Sequence, residues 1–164
     1  MNRIFLFKLL KLLLLISFGF SWSGDFYISS SGNSWPDANA SINPAWKFGG
    51  SGNDAASGSA SKVLTLTCVS STPAAGEISA GTFYFRIIHN EAGAWHSWGG
   101  SGSDVAVTLN DPTETITHDA ASGNWSTSGS KTFTATVGKT YKILFQANPN
   151  GSGSSDNLSV YEFS

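Results

Sequence analysis

In the run Phe83-Tyr84-Phe85-Arg86-Ile87-Ile88-His89, the side chains of Phe83, Phe85 and Ile87 fall on one side of an extended backbone and those of Tyr84, Arg86 and Ile88 on the other. A period of two buries cleanly in a β-strand, because successive side chains of a strand point to opposite faces. Arg86 marks its own face as the more solvated one. The alternation recurs at Tyr141-Lys142-Ile143-Leu144-Phe145, with Lys142 toward water. Clusters of Gly, Ser, Asn and Asp separate such runs, and helical periodicity is nearly absent beyond the N-terminal region. Strands are expected near Asp25–Ser30, Lys62–Val69, Thr82–Asn90, Val105–Asn110, Glu114–Thr117, Lys131–Val137, Thr140–Ala147 and Leu158–Phe163. The pattern predicts an all-β fold, a single antiparallel β-sandwich (immunoglobulin-like or jelly-roll-like) of about eight strands. Within it, Thr132–Val137 and Thr140–Phe145 read as a hairpin around Gly138-Lys139, with the type II′ turn that a leading glycine favours.

The N-terminus has a different character. Arg3, Lys8 and Lys11 precede the apolar run Leu12–Ile16 and then small residues, which is the order of a secretory signal peptide. That run is too short to span a bilayer. The expected organisation is a signal peptide over 1–23, cleaved after Ser21 or Ser23, and one domain over 24–164. The mature chain is expected to be secreted, with no membrane association. Charged residues make up 12% of the sequence and the formal net charge is −2, which offers no electrostatic footprint for nucleic acid. Cys68 is the single cysteine, so no internal disulfide can form, and its apolar surroundings Val63–Val69 mark it as a small buried hydrophobe.

Catalytic patterns are missing, and the chain reads as a non-enzyme. The acids are scattered and lie mostly in turn-like segments, where Asp holds backbone amides. No G-x-S-x-G context appears. His89, His96 and His118 lack the spacing of a zinc motif, although His89 and His96 can meet across a turn. No cofactor is expected beyond a structural calcium ion, for which Asn53-Asp54, Asp104 and Asn110-Asp111 offer hard oxygen ligands. Four Asn-x-Ser/Thr sequons occur, at Asn39, Asn124, Asn150 and Asn157.

Aromatic residues carry the remaining signal. Trp35, Trp46, Trp95, Trp98 and Trp125 all sit in or beside loop-like segments. Indole is costly to leave in water, and a protein that gathers it in loops usually gives it something to stack on. Sugar rings present flat C–H faces to indoles, while Asn, His and Arg bond their hydroxyls. The expected ligand-binding set is Trp35, Arg86, His89, Asn90, Trp95, His96 and Trp98. An echo complicates the picture: Trp46-Lys47-Phe48 and Trp98 each run into Gly-Gly-Ser-Gly and then an Asp, so an aromatic before this motif also has a structural reading.

Asn33-Ser34-Trp35 after an opening strand, and Phe83-Tyr84-Phe85-Arg86 followed by Asn90, Trp95 and Gly99-Gly100, resemble elements of the β-sandwich starch-binding modules of amylolytic enzymes. They are similar also to the repeated domains of outer-surface starch-binding lipoproteins of the SusE and SusF kind. The resemblance covers about a third of the chain. It implies non-catalytic binding of an α-glucan or related polysaccharide through stacked aromatics. A different reading makes the chain an extracellular structural or adhesive subunit. It would then self-associate through sheet edges, with Phe133–Val137 and Leu158–Phe163 as the pairing segments.

Overall fold

A computed structural model describes residues 25–36, 42–49, 62–91, 94–100, 102–119, 129–147 and 155–164. The signal-like segment, Asn53-Asp54 and Trp125 lie outside the described residues.

The described chain is almost entirely strand. In order, the elements are β1 (Phe26–Ser30), a 3-10 turn at Pro44–Trp46, β2 (Lys62–Val69), β3 (Glu77–Ser79), β4 (Gly81–Glu91), β5 (Ala94–Gly99), β6 (Val105–Ala106), β7 (Thr115–Asp119), β8 (Lys131–Ala135), β9 (Thr140–Gln146) and β10 (Ser155–Phe163). They form one mixed sheet in the order β3-β2-β9-β10-β7-β5-β4-β8-β6, with β1 also paired to β4. The expectation of an all-antiparallel arrangement of about eight strands is corrected in two respects: among the described residues ten strands join one sheet, and the pairs β2–β3 and β6–β8 are parallel.

Long β4 is the hinge of this topology. Residues 85–89 pair with β1, while β8 takes 81–85 and β5 takes 87–91. The free margins of β1 and β2 are stapled by the segment after the 3-10 turn. Lys47 bridges Tyr27, Phe48 N–H donates to Phe26 O at 2.8 Å, and Gly49 N–H donates to Val63 O at 2.8 Å. An ion pair between Lys47 and Asp25 at 2.7 Å reinforces the staple. The sheet therefore closes on itself and one face encloses the core.

Alternation does the sorting. Lys62, Leu64, Leu66 and Cys68 of β2 point inward while Val63, Thr65 and Thr67 are exposed. Phe26 and Ile28, Phe83 to Ile87 on alternate positions, Tyr141, Ile143 and Phe145, and Leu158 and Val160 join the same core. Each such side chain contributes about 1.5–3 kcal/mol by leaving water. Phe26 from one margin meets Phe145 at 5.5 Å, and Phe133 meets Tyr141 at 4.7 Å.

The last contact corrects the expected hairpin. β8 pairs with β4 and β6, and β9 pairs with β2 and β10, so the two consecutive strands face each other across the core as an arch. The turn closes with Lys139 N–H donating to Thr136 O at 3.1 Å, and Gly138 has φ +82°. Glycine thus occupies the second central position, as a type II turn requires. Gly138 N–H and Lys139 O then bond Cys68 across at β2, which holds the arch open.

Two strands escaped the sequence reading. β5 is built from what read as loop, because Trp95, Ser97 and Gly99 alternate with His96 and Trp98. β3 is three residues long and borrows its place from β2. At the other extreme, the expected strand Val105–Asn110 ends at Ala106 and turns at Asn110, whose φ of +65° asparagine tolerates.

Candidate functional site

The seven residues expected to bind ligand are divided by β4. Antiparallel pairing sets Ser30 opposite Phe85 and Phe26 opposite His89, so the turn carrying Trp35 and the His89 end are about 13 Å apart along the strand.

At the first end, residues 30–35 form a tight turn organised by Asn33. Its Oδ1 accepts from Ser30 N at 2.8 Å and from the Ser30 hydroxyl at 3.0 Å, while its Nδ2 donates to Ile28 O at 2.8 Å. Trp35 N–H closes the turn on Ser30 O at 3.0 Å. The cost is backbone strain: Ser34 has φ +60° and Trp35 φ +53°, a region that bulky residues rarely enter. Trp35 ends with 45% of its surface exposed. Next to it, the Ser31 N–H bonds Tyr84 O at 3.0 Å, and Tyr84 and Arg86 share the outer face of β4, exposed and half-buried respectively. The expectation that this face is solvated holds for these two but not for Ile88, which is buried where β4 lies between Tyr27 of β1 and Ser97 of β5.

At the second end, His89 pairs with His96 and Asn90 with Trp95 in the β4–β5 ladder. The side chains of Asn90 and Trp95 lie outside the described residues. His89 and Trp98 depart from the expected site. Trp98 is 0% exposed and belongs to the core, its ring 5.2 Å from Phe145 and 5.4 Å from Phe26. His89 is also buried, stacked on Phe26 at 4.2 Å with Nδ1 2.8 Å from Asp25 O. Both point inward because strand parity puts them on the face of Phe85 and Ile87, and a ring enclosed by its own core has no face left for a sugar. Trp46 is likewise core. His96 is half-buried, with Nδ1 3.2 Å from Nε2 of His118.

Three further inward polar residues escaped the site reading. His118 stacks on Trp98 at 4.5 Å, Asp156 accepts from the Trp98 indole N–H, and Lys62 places its ammonium 5.0 Å from the Phe26 ring centroid. All three are buried. Their signal was parity: Lys62 is in step with Leu64 and Leu66, and Asp156 with Leu158 and Val160.

The Gly-Ser run after Trp98 is a crossing point. Gly100 N–H bonds Gly129 O at 3.0 Å, the Ser103 carbonyl packs where either glycine would carry a Cβ, and Asp104 Oδ1 accepts from Ser130 N at 2.7 Å. Asp111 Oδ1 accepts from the backbone and the hydroxyl of Thr113, both at 2.7 Å. These oxygens, considered above for calcium, accept from the chain's own donors, Asp111 within a turn and Asp104 across to the start of β8. Among the described residues no group of three His, Cys, Asp or Glu is arranged to hold a metal ion. Burial raises the Cys68 thiol pKa, which suppresses the nucleophilic thiolate.

Of the segments considered for edge pairing, Leu158–Phe163 has both edges engaged, by β9 on one side and by Asn110 and Glu114 on the other. Phe133–Ala135 pairs with β4 along its length. The outer positions of the strand order go instead to β3 and β6, of three and two residues. Among the described residues, no helix is long and apolar enough to cross a membrane. No family model, curated protein or solved structure matches the chain.

Proposed function

We propose that the protein is a secreted, non-catalytic glycan-binding module in which Trp35 is the stacking surface. The observation that carries this reading is the Trp35 turn. A large apolar ring is held in water on a backbone conformation that costs on the order of 1–3 kcal/mol per residue, and strain of this kind persists where the surrounding structure imposes it, often at ligand sites. The Asn33 side chain imposes it here. Tyr84 and Arg86 on the adjoining face supply hydroxyl and guanidinium groups for the edges of a sugar ring. Asn90 and Trp95, paired with each other at the far end of the β4–β5 ladder, stand apart from this surface. Secretion rests on the basic and apolar N-terminal run. A sandwich-like layering is supported by the β8–β9 arch, which carries the chain from one side of the core to the other. The resemblance to starch-binding modules favours an α-glucan as ligand. With a single stacked ring, affinity is expected to be weak.

The test is affinity electrophoresis of the mature protein in gels containing soluble starch, glycogen, β-glucan or no polysaccharide. Retardation by an α-glucan that is abolished in Trp35→Ala supports the proposal. Equal mobility in every gel, or retardation unchanged in Trp35→Ala, sinks it.

A further inference from the structure

All three histidines of the chain, His89, His96 and His118, come from neighbouring strands β4, β5 and β7 and stand on the inner face at one end of the sheet. Their rings form a chain, with centroids 6.3 Å apart from His89 to His96 and 5.4 Å apart from His96 to His118. Two atoms lead: His96 Nδ1 and His118 Nε2, 3.2 Å apart. Without an ion this is an N–H···N hydrogen bond that uses one proton. Two imidazole nitrogens bound to one tetrahedral zinc at about 2.0–2.1 Å stand about 3.3 Å from each other, nearly the same spacing.

We propose that His96 and His118 form a two-imidazole site for a borderline divalent transition-metal ion such as zinc, its other positions taken by water or an exogenous donor. Nitrogen ligands select this class over calcium or magnesium. Binding requires that the ring donating in the N–H···N bond carry its proton on its own other nitrogen instead, so that both facing lone pairs reach the ion while both imidazoles stay neutral. The surroundings fix the rings as ligand-orienting shells do. His118 lies flat on Trp98 at an interplanar angle of 17°, and Trp98 is tied by its N–H to Asp156. His89 stands beside the pair in a defined tautomer. Asp25 O can only accept, so Nδ1 carries the hydrogen and the neutral ring keeps its lone pair on Nε2. The site is independent of the Trp35 turn and stands or falls apart from glycan binding.

The experiment is titration of the metal-stripped mature protein with Co²⁺, read by visible absorption, followed by displacement with Zn²⁺. One equivalent with nitrogen coordination is expected, and His96→Ala or His118→Ala is expected to weaken it by at least about tenfold. The chain has only three pairs of histidine ring signals, so NMR of the wild type with Zn²⁺ gives a second readout that needs no variant to fold: those of His96 and His118 must move. Absence of uptake at about 1 mM metal, equal affinity in the His96→Ala/His118→Ala double variant, or unmoved His96 and His118 signals would each overturn the site.

Discussion

The indole N–H of Trp98 on β5 donates to the carboxylate of Asp156 on β10, inside a core where both residues are buried. The contact crosses β7 and ties the His-bearing strands to the other half of the sheet. A hydrogen bond to a charged group in such surroundings contributes about 1.5–3 kcal/mol, and removing one partner leaves the other to bear its desolvation. Trp98→Phe keeps most of the ring packing and loses the donor, so it is expected to lower the unfolding free energy by about 2–3 kcal/mol. In a double-mutant cycle with Asp156→Leu, the two costs should fall short of additive by about 1 kcal/mol or more. Urea denaturation monitored by fluorescence and circular dichroism measures all four proteins; additive costs would show that the bond carries no coupling.

The second prediction concerns the crossing of β5, the 102–104 segment and β8. Gly100 and Gly129 are required by close approach, since a Cβ on either runs into the Ser103 backbone. Gly102 sits at φ +76° with open space around it. Gly129→Ala is therefore expected to cost at least about 3 kcal/mol or prevent folding, whereas Gly102→Ala pays only the left-handed backbone cost of about 1–2 kcal/mol. Thermal melts of the two variants decide the order, and equal melting temperatures would refute the packing account.

These two cases show what was legible in the sequence. The β4 alternation gave the strand, its inward face and nearly its ends, because period two and burial coincide there. Trp98 was misplaced for a local reason: Gly99-Gly100 next to it looked like a loop, while the glycines serve a crossing of distant segments that no window on the sequence displays. The β8–β9 arch was missed similarly. Two alternating strands joined by two residues have the local pattern of a hairpin, and only the competition for partners by β2, β4 and β10 opens it. Trp35 was legible as a candidate, but its separation from Trp95 by the length of β4 was not, since register is a long-range property.

A third prediction separates presentation of Trp35 from its chemistry. Asn33→Ala removes three side-chain bonds that hold the turn, while leaving the indole in the chain. It is expected to destabilise the fold by about 1–3 kcal/mol and to weaken α-glucan retardation nearly as much as Trp35→Ala. Ser34→Gly, which relieves a positive φ, should raise stability by up to about 1 kcal/mol and leave retardation intact. Full retardation in Asn33→Ala, under conditions where the variant is folded, would show that the held conformation is irrelevant to binding.

The fourth prediction is a pH dependence. Lys131 is buried with its ammonium 3.8 Å from Glu114. Burial pushes its pKa below the ordinary lysine value, and the attraction of Glu114 only partly opposes this. Between the folded and the unfolded pKa the unfolded chain binds more protons, so this group makes stability rise with pH through that window. The penalty is complete below the folded pKa and gone above the unfolded one. Tyr27 and Tyr141, whose pKa values burial raises, act oppositely at higher pH, because there the folded state holds the proton. Subtracting a Lys131→Met series from the wild type isolates the lysine: the difference in unfolding free energy should climb in favour of wild type as pH approaches about 10.4. Glu114→Gln should deepen the penalty at neutral pH, since it leaves the same buried charge without its counter-ion. A wild-type minus Lys131→Met difference that stays flat from neutral pH to the lysine range would mean that Lys131 keeps its ordinary pKa in the fold.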